Sequence, residues 1–145
     1  MSLYNFKIIN LSDEMNFSFK IRKKVFCEEQ RISEEIEFDN LDHLCDHFLI
    51  YKKDKAIGTA RVRKKEDHLF KIERVAVLVE YRKLKVGSLL INEIINYYLK
   101  KNNKNSIMLH SQVAVEEFYK SLNFIPYGDR FLEDGILHIA MRHLN

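Results

Sequence analysis

Arg82, Lys83 and Lys85 put three positive charges directly ahead of Gly87 and an amphipathic run, and the chemistry of such a turn is to hold an anion. Before it lie Ile72, Val75, Val77 and Val79, β-formers broken only by small or charged residues. After it Val86, Leu89, Leu90, Ile94, Tyr97 and Tyr98 recur at helical spacing. The period changes between Glu80 and Lys85. A helix starting there leaves its first N–H groups unpaired and favours an anion, phosphate among them. Gly87, lacking a Cβ, is expected to let the first turn approach a pyrophosphate closely. A basic turn before a helix is also the usual form of a solvated helix entrance, so the rest of the chain must agree.

The elements that would position this turn read as α/β. A strand is predicted at Tyr4 to Ile9, a helix from Asp13 to Glu28, and a polar stretch through Asp42 with room for a short second helix. Strands follow at Phe48 to Lys52, Ala56 to Lys64 and Leu69 to Leu78, with turn-like joins that suit an antiparallel meander. The helix after the basic turn spans Lys85 to Lys101. Then come a strand at Ile107 to His110, a helix at Val113 to Leu122, and a closing pair at Ile125 to Phe131 and Ile136 to Arg142. This order predicts a mixed sheet with helices on its faces.

Composition sets bounds. The 145 residues suit one domain, 1–145, and the chain has a single proline and four glycines, with no linker-like stretch or internal repeat. Hydrophobic residues at 46% and charged residues at 31% describe a soluble globular protein. A net charge of +3 is too small to argue for nucleic acid, although local clusters suit an anionic small molecule. No run approaches the ~20 apolar residues of a membrane span, and no targeting segment is evident. Cys27 and Cys45 read as reduced thiols, and a cytoplasmic setting is expected. Asp42, His43, Cys45, Asp46 and His47 form a dense set of donors, but structural zinc needs a second pair of ligands elsewhere, so no metal is expected.

With the turn, the stretch Ser106 to Phe124 (SIMLHSQVAVEEFYKSLNF), VFCEEQ (25–30), AIGTARVR (56–63) and RFLEDGILHIAM (130–141) resemble the GNAT superfamily of N-acetyltransferases, in particular its small YjcF-like or ElaA-like branch. The resemblance covers most of the chain. It implies a GNAT fold, a mixed sheet of about seven strands with helices on both faces, splayed between the fourth and fifth strands. It also implies acetyl-CoA as co-substrate. The family's loop runs Arg or Gln, two variable residues, Gly, one variable residue, then Gly or Ala; here Lys85 stands at the first glycine and Gly87 at the second. Asn123 stands where a helix-ending glycine is common, a mild change because Asn also adopts the left-handed conformation.

By this resemblance Arg82, Lys83, Leu84, Lys85, Val86, Gly87 and Ser88 would cradle the CoA phosphates. Val75, Ala76 and Val77 would offer main-chain groups to the pantetheine arm and an N–H to the thioester carbonyl, although Val-Ala-Val is equally an ordinary buried strand. Gln112, Val115, Phe118 and Tyr119 would form the second wall. Tyr119 matches a tyrosine that protonates the leaving thiolate, and it also belongs to the helical stripe Val115, Phe118, Tyr119, Leu122. Alternation places Glu73 on the face of Val75 and Val77, as a general base acting through water or as a salt-bridge partner of Arg61 or Arg74.

The acceptor side would take Glu28, Glu29, Gln30, Arg61, Arg74 and His138. Arg61 and Arg74 either hold an anionic acceptor, with Arg22 and Lys23 nearby, or pair with Glu73 and its neighbours. His138 is either near the acceptor or a satisfied strand histidine. Similar sequences include glucosamine-phosphate N-acetyltransferases, which implies glucosamine 6-phosphate as acceptor, towards UDP-N-acetylglucosamine. A polyamine, a peptide amine, or a non-catalytic acetyl-CoA-binding regulatory domain are the alternatives. Dimers are frequent among similar proteins, so a homodimer is a further implication.

Overall fold

A computed structural model describes residues 3–9 and 14–145. Asp13, where the first helix is predicted to begin, lies outside the described residues. The strands are β1 (Tyr4–Ile9), β2 (Cys45–Lys52), β3 (Lys55–Glu66), β4 (Leu69–Val77), β5 (Ser106–Gln112), β6 (Phe124–Glu133) and β7 (Ile136–His143). They form one seven-stranded sheet in the order β1-β2-β3-β4-β5-β7-β6. Lys53 and His68 take up positive φ in the short turns that join β2 to β3 and β3 to β4, which is what two-residue hairpin connections demand.

Both faces of the sheet are covered, so the central strands read as near-continuous apolar runs. On β2, Phe48 and Ile50 join the cluster under α3 (Val86–Lys101), with Leu90, Ile91 and Ile94. Leu49 and Tyr51 point the other way, to Met15, Ile21 and Val25 of the first helical segment. That segment differs from the single predicted helix. It is α1 (Met15–Arg22) running into a π-helical stretch over Lys23–Glu29, closed by a Gln30 N–H to Val25 C=O bond of 3.2 Å. A four-residue α2 (Glu34–Glu37) follows, its Ile36 N–H bonded to the Ser33 side chain. The helix predicted at Val113 to Leu122 is shorter: a 3₁₀ turn over Val113–Val115, then α4 (Glu116–Lys120).

The feature that makes the site is a fork. β4 and β5 pair in parallel only from Leu69↔Ser106 to Ile72↔Leu109. Beyond that point β4 stays with β3 as far as Val77↔Gly58, and β5 follows β7 to Gln112↔His138. A bulge sits at the parting. Thr59 and Arg61 of β3 face Ala76 and Glu73 of β4, so β4 holds an extra residue, and Arg74 there has φ 56°. The bulge overturns the predicted alternation. Val75 and Val77 pack with the α3 cluster, whereas Glu73 turns to the α1 face with its partner Arg61.

Candidate active site

The fork opens into a cleft of about 770 Å³. Val75, Ala76, Val77, Arg82, Lys85, Gly87 and Ser88 line one wall, and Gln112, Val115, Phe118 and Tyr119 the other. Leu78 N–H bonds to Ile57 C=O on β3 at 2.9 Å. Strand alternation therefore turns the main-chain groups of Val77 and Val75 to the open side of β4 and those of Ala76 back towards β3. Of the predicted trio, Val75 and Val77 are the ones whose N–H groups can meet a ligand in the fork. A second hollow of about 770 Å³, beside Phe19, Phe38 and Lys20, holds none of these residues.

A 3₁₀ turn over Val79–Leu84 leads into α3, with Lys85 as its N-cap at φ 62°, ψ 18°. This explains the family glycine at that position: the backbone is left-handed, which any L side chain resists by roughly 1–2 kcal/mol. Lys85→Gly is therefore expected to raise stability by about 1 kcal/mol in urea titration, the relieved strain being partly offset by glycine's entropy. The same change should weaken CoA binding at low salt and flatten its salt dependence, by calorimetry, because the exposed Lys85 charge is gone.

Five loop residues behave differently from expectation. The missing Cβ of Gly87 faces the Phe118 ring, 3.2 Å from its Cζ, so glycine there lets α4 approach α3. Val86 is fully buried in the core. Arg82 folds back, its Nε donating to Val77 C=O at 2.9 Å and its guanidinium pairing with Glu29 at 2.8 Å. Lys83 and Leu84 are exposed and do not line the cleft. Of the three basic residues of the turn, the cleft-lining side chain left for a phosphate is thus Lys85.

Tyr119 is 8% exposed, set edge-on against Phe118 and Phe124, and its hydroxyl has no hydrogen-bond partner among the described residues. Burial pushes its ionisation well above the ordinary phenol range. A phenol that keeps its proton at neutral pH and borders the cleft can deliver it to a departing thiolate.

The acceptor side is held by ion pairs. Arg61, 1% exposed, donates to Asp39 (2.7 and 2.9 Å), Asp42 (3.0 Å) and Glu73 (3.2 Å). Arg22 is equally buried against Glu37 and Asp42, each at 2.8 Å. Arg74, on the bulge, reaches Glu37 and Asp39. Both readings of Arg61 and Arg74 were open in the sequence; the structure gives the pairing one, and Arg61 and Arg22 are not free to meet a phosphate. Burial opposes ionisation of Asp39 and Asp42, but hydrogen bonds from Arg61 and Arg22 outweigh it and hold both below the usual carboxylate range. For Glu37, burial wins and its carboxyl titrates higher than usual.

Glu73 meets Arg61, Arg63 and Lys71 at 3.1–3.2 Å, and those charges outweigh burial and lower its carboxyl. This is the geometry of an ion-pair hub and not of a proton acceptor poised near neutrality. Of VFCEEQ's polar end only Gln30 lines the cleft, accepting from Gln112 Nε2 at 3.0 Å and so bridging the mouth of the fork; Glu28 and Glu29 lie outside it. His138 lines the cleft, as do His110 and Glu133, which sequence reading missed. Their signal was present in alternation: His110 and Gln112 on β5 share a face with their cross-strand neighbours on β7. Among the described residues no group of three or more potential ligands is placed to hold a metal ion.

Comparison with known proteins fits this geometry. The Acetyltransferase (GNAT) domain family matches residues 12–144. YyaT of Bacillus subtilis is 36% identical over 140 residues, covering 94% of this chain and 93% of that protein. The uncharacterized N-acetyltransferase YjcF of the same organism is 28% identical, over 89% of this chain and 91% of its own. The crystal structure of Escherichia coli ElaA superposes with a TM-score of 0.86 at 27% identity, over 97% of this chain and 99% of that one. A forked sheet, a left-handed residue at the helix entrance and a buried cleft tyrosine, together with a family match across nearly the whole sequence, lead to one conclusion: the chain belongs to the GNAT family of acetyltransferases, which use acetyl-CoA.

Proposed function

We infer that the fork holds acetyl-CoA and an amine together, and that the amine of a small molecule attacks the thioester directly. The observation that carries this reading is the convergence in one cleft of the α3 entrance, the open edge of β4 and Tyr119. The N–H groups at Lys85 to Ser88, at the start of α3, suit the pyrophosphate, and Val75 or Val77 N–H suits the thioester carbonyl. Acetyl-CoA supplies the activated acyl group. A binding-only domain would need the α3 entrance and no proton donor beside it, and the placement of Tyr119 favours the enzyme.

For the acceptor, glucosamine 6-phosphate is the first choice by resemblance; Lys71 and Arg63 line the cleft but are paired with Glu73, so its phosphate would compete with that carboxylate for them. The test is release of CoA thiol with product mass, using glucosamine 6-phosphate, spermidine and a peptide N-terminus as acceptors. The expected result is N-acetylglucosamine 6-phosphate formed fastest. Acetylated spermidine without the sugar product would overturn the acceptor; no acetylated amine at all would overturn the enzyme reading.

A further inference from the structure

On the α1 face of the fork, titratable side chains from three strands meet. His110 is the first β5 residue past the last β4–β5 pair. Its Nδ1–H donates to Glu133 Oε1 on β6 at 3.2 Å. His138 on β7 has its Nε2 3.6 Å from Glu133 Oε2. Phe131 lies against both imidazoles, stacked on His138 at 6.0 Å and edge-on to His110 at 4.9 Å, which fixes the ring planes.

The decisive contact is between His138 Nδ1 and Ile136 C=O, at 2.7 Å. A carbonyl can only accept, so Nδ1 carries the proton of the neutral ring and the lone pair is left on Nε2. His138 is 7% exposed, and its exposure is to the cleft it lines. It is not paired with a cation among the described residues, unlike Glu73.

We propose that His138 Nε2 takes the proton of the attacking amine, with Glu133 and His110 as positioning residues; this rests on the amine-acetylation reading above. The amine lone pair forms the C–N bond to the acetyl carbon while the C–S bond breaks with its electron pair going to sulfur. Sulfur takes the Tyr119 proton, and the surplus proton on nitrogen goes to His138 Nε2. The imidazolium so formed faces the Glu133 carboxylate. The charged groups around it are Glu133 from β6, His110 from β5, Lys71 from β4, which acts on Glu133, and Asp134 at the β6–β7 turn. Glu133 is held down to about 2, first by the His110 hydrogen bond, so it is ionised throughout and is not the group that titrates.

The test compares wild type with His138→Asn, whose side-chain N–H can still donate to Ile136 C=O, and with Glu133→Gln. The rate is CoA release with the best acceptor of the panel above. His138→Asn is expected to lower kcat by about 10²-fold and abolish the ascending acid limb of the pH profile. Acetyl-CoA binding by calorimetry and the melting curve should stay near wild type, showing that the fold and the cofactor wall are intact. Glu133→Gln should keep the limb and lower kcat with the acceptor KM near wild type, because the carboxylate that faces the imidazolium is gone. A His138→Asn variant with near-wild-type kcat and an unchanged limb would overturn the proposal while leaving the acetyltransferase reading in place. Wild type that acetylates no amine would overturn that reading, and this inference with it.

Discussion

Tyr119→Phe is expected to lower kcat by about 10²–10³-fold with acetyl-CoA affinity near its wild-type value. The substitution removes one oxygen that has no hydrogen-bond partner among the described residues, so packing against Phe118 and Phe124 is kept and no buried group is orphaned. What is lost is the proton for the leaving sulfur. The sign of the pH effect follows from burial, which raises the phenol's ionisation above its ordinary range near ~10. The protonated, active form therefore persists beyond that pH, and loss of the Tyr119 proton should contribute no descending limb below it. Steady-state kinetics from acid to alkaline pH, with calorimetry for acetyl-CoA, check both parts. Full turnover with an unchanged profile would leave Tyr119 as a core aromatic.

Arg61→Ala should be the most destabilising single change on the acceptor side, by about 3–5 kcal/mol. It would leave Asp39, Asp42 and Glu73 without the guanidinium that now joins them at the base of the cleft. For a chain of this size that corresponds to a fall in melting temperature on the order of 10 °C. The alternative, an arginine that holds the acceptor, predicts something different: a raised acceptor KM in a protein of ordinary stability. Urea titration beside acceptor kinetics separates the two. A stable variant with a weakened acceptor would mean that Arg61 releases its carboxylates to bind substrate.

Much of this architecture is legible in the sequence because its signals are local. The switch from β to helical period at Glu80 to Lys85 places the α3 entrance to within one residue, and the apolar runs of β2 to β4 locate the meander. The boundaries that moved are ones where pairing overrides propensity: β2 begins at Cys45 through its register with Arg63, and β6 runs from Phe124 to Glu133 as an exposed edge beside β7. The π-helical turn and the bulge at Arg74 have no compositional mark, since neither uses glycine or proline. That single extra residue is why simple alternation puts Glu73 on the wrong face.

The candidate site divides along the same line. The cofactor wall was visible as a contiguous motif, whereas the roles of its side chains were not: Arg82 is drawn away by Glu29, 53 residues distant in sequence, and Gly87 makes room for Phe118. The buried network of Arg22, Arg61 and Arg74 with Glu37, Asp39 and Asp42 looks, in one dimension, like a solvated acidic loop and scattered cations. Only the packing of α1 and α2 over the sheet converts them into partners.

The most direct test of the central claim is a crystal structure of the protein with acetyl-CoA. The account predicts the pyrophosphate on the N–H groups of Lys85 to Ser88, the pantetheine along the open edge of β4, and the thioester sulfur within hydrogen-bonding reach of the Tyr119 hydroxyl. Cofactor lodged in the hollow beside Phe19 and Phe38, or in the fork with its sulfur turned away from Tyr119, would contradict it.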